Sequence, residues 1–144
     1  MTEQRISVSR AGHVHEAIVS WWFDGRDWWV AVDSEAFERV EARENDAFEA
    51  LCTVRTMLEP HGWRLGVTGA RADVWPSGMA RDQGGGLRCY RIVDAAPVEL
   101  VDTFEPVDPA MVTTVADQRA QADLMYASRA AEAPPTHPRG PDRS

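Results

Sequence analysis

Apolar and polar positions alternate along the first third of the chain, switch to a helical period near residue 46, then alternate again. That order predicts a mixed fold. Residues 5–9, RISVS, alternate as a strand does but are short, and form either an edge strand or a leader. Residues 14–23, VHEAIVSWWF, and 27–33, DWWVAVD, are rich in β-branched and aromatic residues. They flank Asp24-Gly25, a dipeptide that supplies the positive φ of a tight turn, so they predict a hairpin. Phe37 to Arg43 fits neither period cleanly and is either a strand continuing the meander or the first turns of a helix, the strand being preferred.

Asp46 followed by Glu49 has the capping-box spacing. Ala47, Phe48, Leu51, Cys52, Val54, Met57 and Leu58 then repeat as one stripe, predicting a main helix over about 46–60. Trp63 to Thr68, Leu87 to Asp94 and Val98 to Phe104 are expected as strands, with Ala96-Pro97 turning between the last two. Asp108-Pro109 places a capping side chain ahead of a first-turn proline and predicts a C-terminal helix over about 109–131, with a weak apolar stripe. The expected architecture is α+β: an antiparallel meander of about five to six strands packed by these two helices in one domain over 1–132. Residues 133–144 hold four prolines and almost no large apolar group, so a disordered tail is expected there.

Composition narrows the function more than the fold. With 44% hydrophobic and 26% charged residues the chain has the means to bury a core. A formal charge of −8 repels nucleic acid and anionic membrane surfaces, so neither is expected as a partner. All 15 basic residues are arginine, which removes lysine Schiff-base chemistry and fits a GC-rich bacterial coding sequence. Cys52 and Cys89 lie far apart in apolar surroundings without a CxxC pair, and are expected as reduced core residues. The N-terminal segment lacks the apolar stretch of a signal peptide, and no run approaches the roughly 20 apolar residues of a membrane span. A cytoplasmic location is therefore expected.

The segment from Gly69 to Gly86 separates two good strands by a stretch long enough to be functional. Its Val74, Trp75 and Met79 argue for a packed loop or a bound partner. Arg71 and Arg81 beside the glycines at 84–86 could hold an anion on a nest of backbone amides, with Asp73, Ser77 or Asp82 near a reacting group. No phosphate-loop or dinucleotide motif supports that pocket, and a glycine run before a strand more often makes a turn. Ser77 with His61 or Asp73 lacks nucleophile-elbow spacing. His13-x-His15 points both imidazoles to one strand face, but Glu16, the nearby third ligand, faces away. Asp73 and Asp82 sit beside arginines, which favours salt bridges over acid–base roles. No catalytic residue, cofactor or metal is assigned.

Trp21, Trp22, Trp28 and Trp29 must place tryptophan on both faces of the hairpin ribbon. The outer face is either covered or left as a partner anchor, with Trp22 and Trp28 the candidates. Residues 94–108 carry five acids and no base, which suits a basic protein partner as well as a solvated edge.

The run Gly69-Ala-Arg-x-Asp-Val-Trp-Pro-Ser-Gly-Met-x-Arg-Asp-x-Gly-Gly-Gly86, preceded by Leu51-Cys52-x-x-Arg55 and Leu58-Glu59-Pro60-x-Gly62-Trp63, resembles a family of small uncharacterised bacterial proteins found in toxin–immunity gene neighbourhoods. The resemblance covers roughly residues 46–120 and leaves out positions 1–45 and the tail. It carries no catalytic assignment and implies a binding or immunity-type role. The expectation is a non-catalytic protein-binding module, an immunity-like inhibitor of a basic toxin domain. The alternative is a small-ligand domain or enzyme using loop 69–86 as an anion pocket, and a homodimer built on the tryptophan face is a third arrangement.

Overall fold

The computed structural model describes residues 1–132, so the expected disordered tail lies outside the described residues. The fold is α+β, with the strands divided between two sheets. Strands β1 (Thr2–Arg10), β2 (His13–Phe23), β3 (Trp28–Ser34) and β4 (Phe37–Glu44) form an antiparallel meander. The short β5 (Arg64–Leu65) joins the free side of β1, giving the order β4-β3-β2-β1-β5. RISVS is thus the middle of a nine-residue interior strand. Ile6 and Val8 drive this, being 3% and 0% exposed on the face that meets the core.

The turn at Asp24-Gly25 forms as expected. Asp24 Oδ1 accepts from the Arg26 and Asp27 amides at 2.8 and 2.7 Å, and Oδ2 accepts from Trp29 Nε1 at 2.7 Å. These bonds hold the Asp24 carboxyl down at about 2, the Asp27 amide contributing most.

Helix α1 (Ala47–Leu58) follows β4, capped by the Asp46 carboxylate, which accepts from the Glu49 amide at 2.8 Å. Its Ala47, Ala50, Leu51, Val54 and Leu58 pack on the five-stranded sheet with Val19, Val30, Val32 and Trp63. Phe48 and Cys52, on another face, join Val74, Cys89 and Val115 in a second cluster. The helix therefore packs on two sides. Met57, expected in the stripe, is 44% exposed, and Arg55 is buried instead.

The second sheet, ordered β6-β7-β8, consists of β6 (Val74–Trp75), β7 (Arg88–Val93) and β8 (Ala96–Asp102). The β7–β8 turn falls at Asp94-Ala95, with φ of 52° and 64°, and not at Ala96-Pro97, which begins β8. Proline is tolerated there because β8 is an edge strand with one side unpaired. Trp63 to Thr68 is largely buried as expected but pairs over two residues only. A Cβ at Gly66 would lie 2.3 Å from the Val107 carbonyl, so a second backbone crosses where a longer ladder would run.

The C-terminal helix, α3 (Val115–Glu132), begins later than expected. Asp108 does cap a turn, accepting from the Ala110 amide at 2.9 Å, but that turn is a single 3-10 turn over Pro109–Met111. The chain is then drawn out by an Arg71–Val112 bridge and by the Thr113 amide donating to the Ala70 carbonyl at 3.1 Å. Thr114 Oγ1 caps the real helix start, accepting from the Asp117 amide at 3.1 Å. No helix among the described residues is long and apolar enough to cross a membrane.

Candidate functional site

Segment 69–86 is an ordered strap between the two cores. It contains β6 and the short helix α2 (Gly78–Asp82). Ser77 caps α2, its Oγ accepting from the Ala80 amide at 3.0 Å, so the hydroxyl has a backbone role. Buried side chains tie the strap down. Gln118 Nε2 donates to the carbonyls of Gly69, Arg71 and Val74 at 2.7, 3.0 and 3.0 Å. Its Oε1 accepts from Arg55 Nη1 at 2.6 Å, and Arg55 Nη2 donates to the Thr113 carbonyl at 2.7 Å. Burial pulls the Arg55 guanidinium below its ordinary value, and these bonds, with Glu59 at 3.7 Å, compensate it. Thr103 Oγ1 donates to the Gly86 carbonyl at 2.6 Å.

The two strap arginines do not share a partner. Arg71 grips Asp73 through two bonds, Nε–Oδ1 at 2.8 Å and Nη2–Oδ2 at 2.7 Å, and its affinity for a proton rises above the ordinary value chiefly through those bonds. Arg81 lies over the Phe48 and Trp75 rings, 5.0 and 5.5 Å from their centroids, and pairs with Asp46 and Glu49 at 3.4 and 3.2 Å. Glu49 also binds Arg119 at 2.8 Å, and Arg119 stands 5.8 Å from the Trp75 ring. Trp75 thus belongs to an aromatic–guanidinium stack with Phe48, edge-on at 5.2 Å.

The glycines are used for packing. Gly84 and Gly86 amides donate to the Ala80 carbonyl at 3.1 and 3.0 Å, closing α2. Gly85, at φ +66°, lies so close to Trp28 that a Cβ would come within 2.6 Å of the indole. Its carbonyl accepts from the Ala47 amide at 2.7 Å. These contacts give the amides and the arginines partners other than a bound anion. Asp82 is exposed, and the structure does not bring it to Asp73.

The tryptophans divide as the alternation requires. Trp21 stacks on Phe104 at 4.1 Å on the core side, and Trp28, expected with Trp22 as an outer anchor, packs on that core side beside Phe23 and Gly85 because the register pairs Trp22 with Trp29. Trp22 and Trp29 stack on each other across the ladder on the outer face, 5.7 Å apart and 5° from parallel, with Arg43 5.5 Å from the Trp29 ring. Both are half-buried, with Ser20 and Ala31 nearly covered beside them. His15 sits edge-on to Trp63 at 5.5 Å, and among the described residues no cluster of His, Cys, Asp and Glu has metal-site geometry. Cys52 and Cys89 are buried, and burial pushes their thiols up to about 11 and about 12.

Two of the five acids in 94–108 pair with arginines of the preceding strand: Arg88 meets Asp102 at 2.9 Å and Arg91 meets Glu99 at 2.8 Å. They line a cleft of about 500 Å³ with Arg71 and Glu105, so most of its charges are paired.

The opposite face of the β7–β8 hairpin forms a different surface. Trp75, Tyr90, Ile92 and Pro97 floor a groove of about 480 Å³ walled by Met79 of α2 and by Met125 and Tyr126 of α3. Met79 is 68% and Tyr126 51% exposed. Asp94 adjoins the lining residue Ala95, Asp123 adjoins Ala122, and Asp82 ends α2; all three are exposed and make no ion pair among the described residues. Of the sequence candidates, the groove gathers Trp75 and Ser77. On α3 the lining residues Ala122 and Met125 continue the helical spacing of the buried Val115 and Gln118, a stripe legible in the sequence only if the glutamine is counted with the apolar positions. Neither the known protein-family models nor the curated proteins include a match to this chain.

Proposed function

We propose that the chain is a non-catalytic protein-binding module of the immunity type, which neutralises a basic toxin domain by receiving an apolar segment of it in the groove between α2, the β7–β8 hairpin and α3. The observation that carries this reading is the groove's composition. Exposed Met79 and Tyr126 flank an aromatic floor, and Asp94 and Asp123, exposed and without ion pairs among the described residues, adjoin its lining residues in sequence. An apolar centre on an acidic chain suits a partner of opposite sign, and methionine and aromatic anchors dominate such interfaces. The formal charge of −8 adds steering toward a basic domain. The candidate reactive groups favour binding over catalysis: Ser77 caps a helix, Asp73 is gripped by Arg71, and both thiols are buried.

The test is deletion of the gene in its host, with growth as the readout. Self-intoxication relieved by the wild-type chain but not by Met79→Asp supports the reading. Healthy growth of the deletion strain, with no complex between the purified chain and the product of the neighbouring gene, overturns it.

A further inference from the structure

The second sheet ends on β8, and among the described residues no strand pairs with its far side. We propose that this edge pairs antiparallel with β8 of a second copy of the chain, across a two-fold axis at Leu100, joining two three-stranded sheets into one of six. The interface is a strand edge and not the groove, so it stands independently of the proposed function.

The hydrogen bonding fixes which groups of β8 are free. The Thr103 amide donates to the Leu87 carbonyl at 3.0 Å, and alternation along the ladder then turns the backbone groups of Val101 toward β7 and those of Leu100 away from it. The far side of β7 agrees. The Ile92 amide donates to the Asp73 carbonyl at 2.7 Å, and Tyr90, two residues earlier and the cross-strand partner of Leu100, likewise turns its backbone groups toward β6. Asp102 also points outward, but its carbonyl accepts from the Glu105 amide at 3.3 Å. Leu100 is thus the residue of this stretch with both backbone groups unmatched among the described residues, and two antiparallel strands related by a two-fold axis exchange such groups reciprocally.

The usual guards of a strand edge stop short of Leu100. Pro97 and the bulge at Val98, the residue skipped between the Arg91–Glu99 and Ile92–Pro97 pairs, interrupt the first half of β8. The acids of the second half are held by arginines of their own chain, Glu99 by Arg91 at 2.8 Å and Asp102 by Arg88 at 2.9 Å. An axis at Leu100 sets Glu99 opposite Val101 and Asp102 opposite Val98 of the second copy, so no like charges stand directly opposed. It also covers Val98 and Leu100, which are 52% and 43% exposed. Because Leu100 shares a face with Tyr90, which floors the groove, the axis places two grooves side by side on one face of the joined sheet.

The experiment is amide hydrogen exchange by NMR on the full chain over about a hundredfold range of concentration, with sedimentation velocity on the same samples. The Leu100 amide should slow at least about tenfold where a dimer sediments, with the Val101 amide, already bonded to β7, as the protected control. Leu100→Pro removes an amide that points away from β7 and should sediment as a monomer throughout. Leu100→Lys keeps the whole backbone, guards against a folding defect in the proline variant, and should dimerise at least about tenfold more weakly than wild type. A Leu100 amide that exchanges as an open one at every concentration overturns the proposal, whether the chain stays monomeric or associates elsewhere. Protection that does not change with concentration also overturns it, because the edge is then covered within one copy. A Leu100→Lys dimer as tight as the wild type has the same meaning. No toxin partner is present, so either result leaves the growth test of the proposed function standing.

Discussion

Arg55 Nη1 donates to Gln118 Oε1 at 2.6 Å inside the protein, joining α1 to α3 with both side chains essentially inaccessible to water. The same glutamine Nε2 lies within hydrogen-bond distance of three carbonyls of the strap, which share its two N–H protons, so one side chain ties the strap to α1 and α3. Replacing Gln118 by Leu should leave a buried guanidinium short of an acceptor and three carbonyls without that donor, destabilising the fold by about 3 kcal/mol. Urea unfolding is the measurement. The double variant Arg55→Met, Gln118→Leu should lose less than the sum of the two single changes, since removing both partners leaves no orphaned charge.

Gly85 and Gly78 form a matched pair of controls on the same strap. A Cβ at Gly85 would press on the Trp28 ring at a φ of +66°, whereas one at Gly78 would meet nothing within 4 Å. Gly85→Ala should cost about 2 kcal/mol and alter the near-ultraviolet dichroism of the tryptophans, while Gly78→Ala should be neutral or mildly stabilising.

The local code of the chain was legible where one physical rule dominates. Asp24-Gly25, the Asp46 cap and the extent of α1 are set by neighbours in sequence, and they form as read, whereas the single stripe divides between two clusters and loses Met57 to solvent. Elements set by distant backbone were not legible. Trp63–Thr68 pairs over two residues because another segment crosses at Gly66, and the Asp108 cap opens only a 3-10 turn because Val112 and Thr113 are drawn to Arg71 and Ala70. The glycine triplet looked like an anion nest in sequence. Its partners, Trp28 and the start of α1, lie some forty to sixty residues away. The groove escaped because its walls come from α2, the β7–β8 hairpin and α3, which no local pattern connects.

Asp24 gives the chain an acid-sensitive turn. Its carboxyl titrates at about 2 in the folded protein against an ordinary value of 3.8. A depressed folded value means the stabilisation is present above about pH 4 and is lost as pH falls toward 2. The Trp29 indole N–H resonance should shift through that window, and Asp24→Asn should remove the shift.

Cys52 and Cys89 should be silent toward a disulfide reagent at pH 8, because burial holds their thiols near 11 and 12. Both should react together once urea unfolds the chain. Rapid reaction of the native protein would show that the cluster around Phe48 and Val74 opens locally.

The proposed function requires the groove beside α2, and not the outer tryptophan face, to engage a basic partner. Calorimetric titration of the product of the neighbouring gene into the wild-type chain, Met79→Asp and Trp22→Ala tests it most directly. Met79→Asp should bind at least about thirtyfold more weakly, as expected for an anchor residue, and Trp22→Ala less than about threefold more weakly. Full affinity in Met79→Asp with binding lost in Trp22→Ala would contradict it and move the interface to the Trp22–Trp29 face.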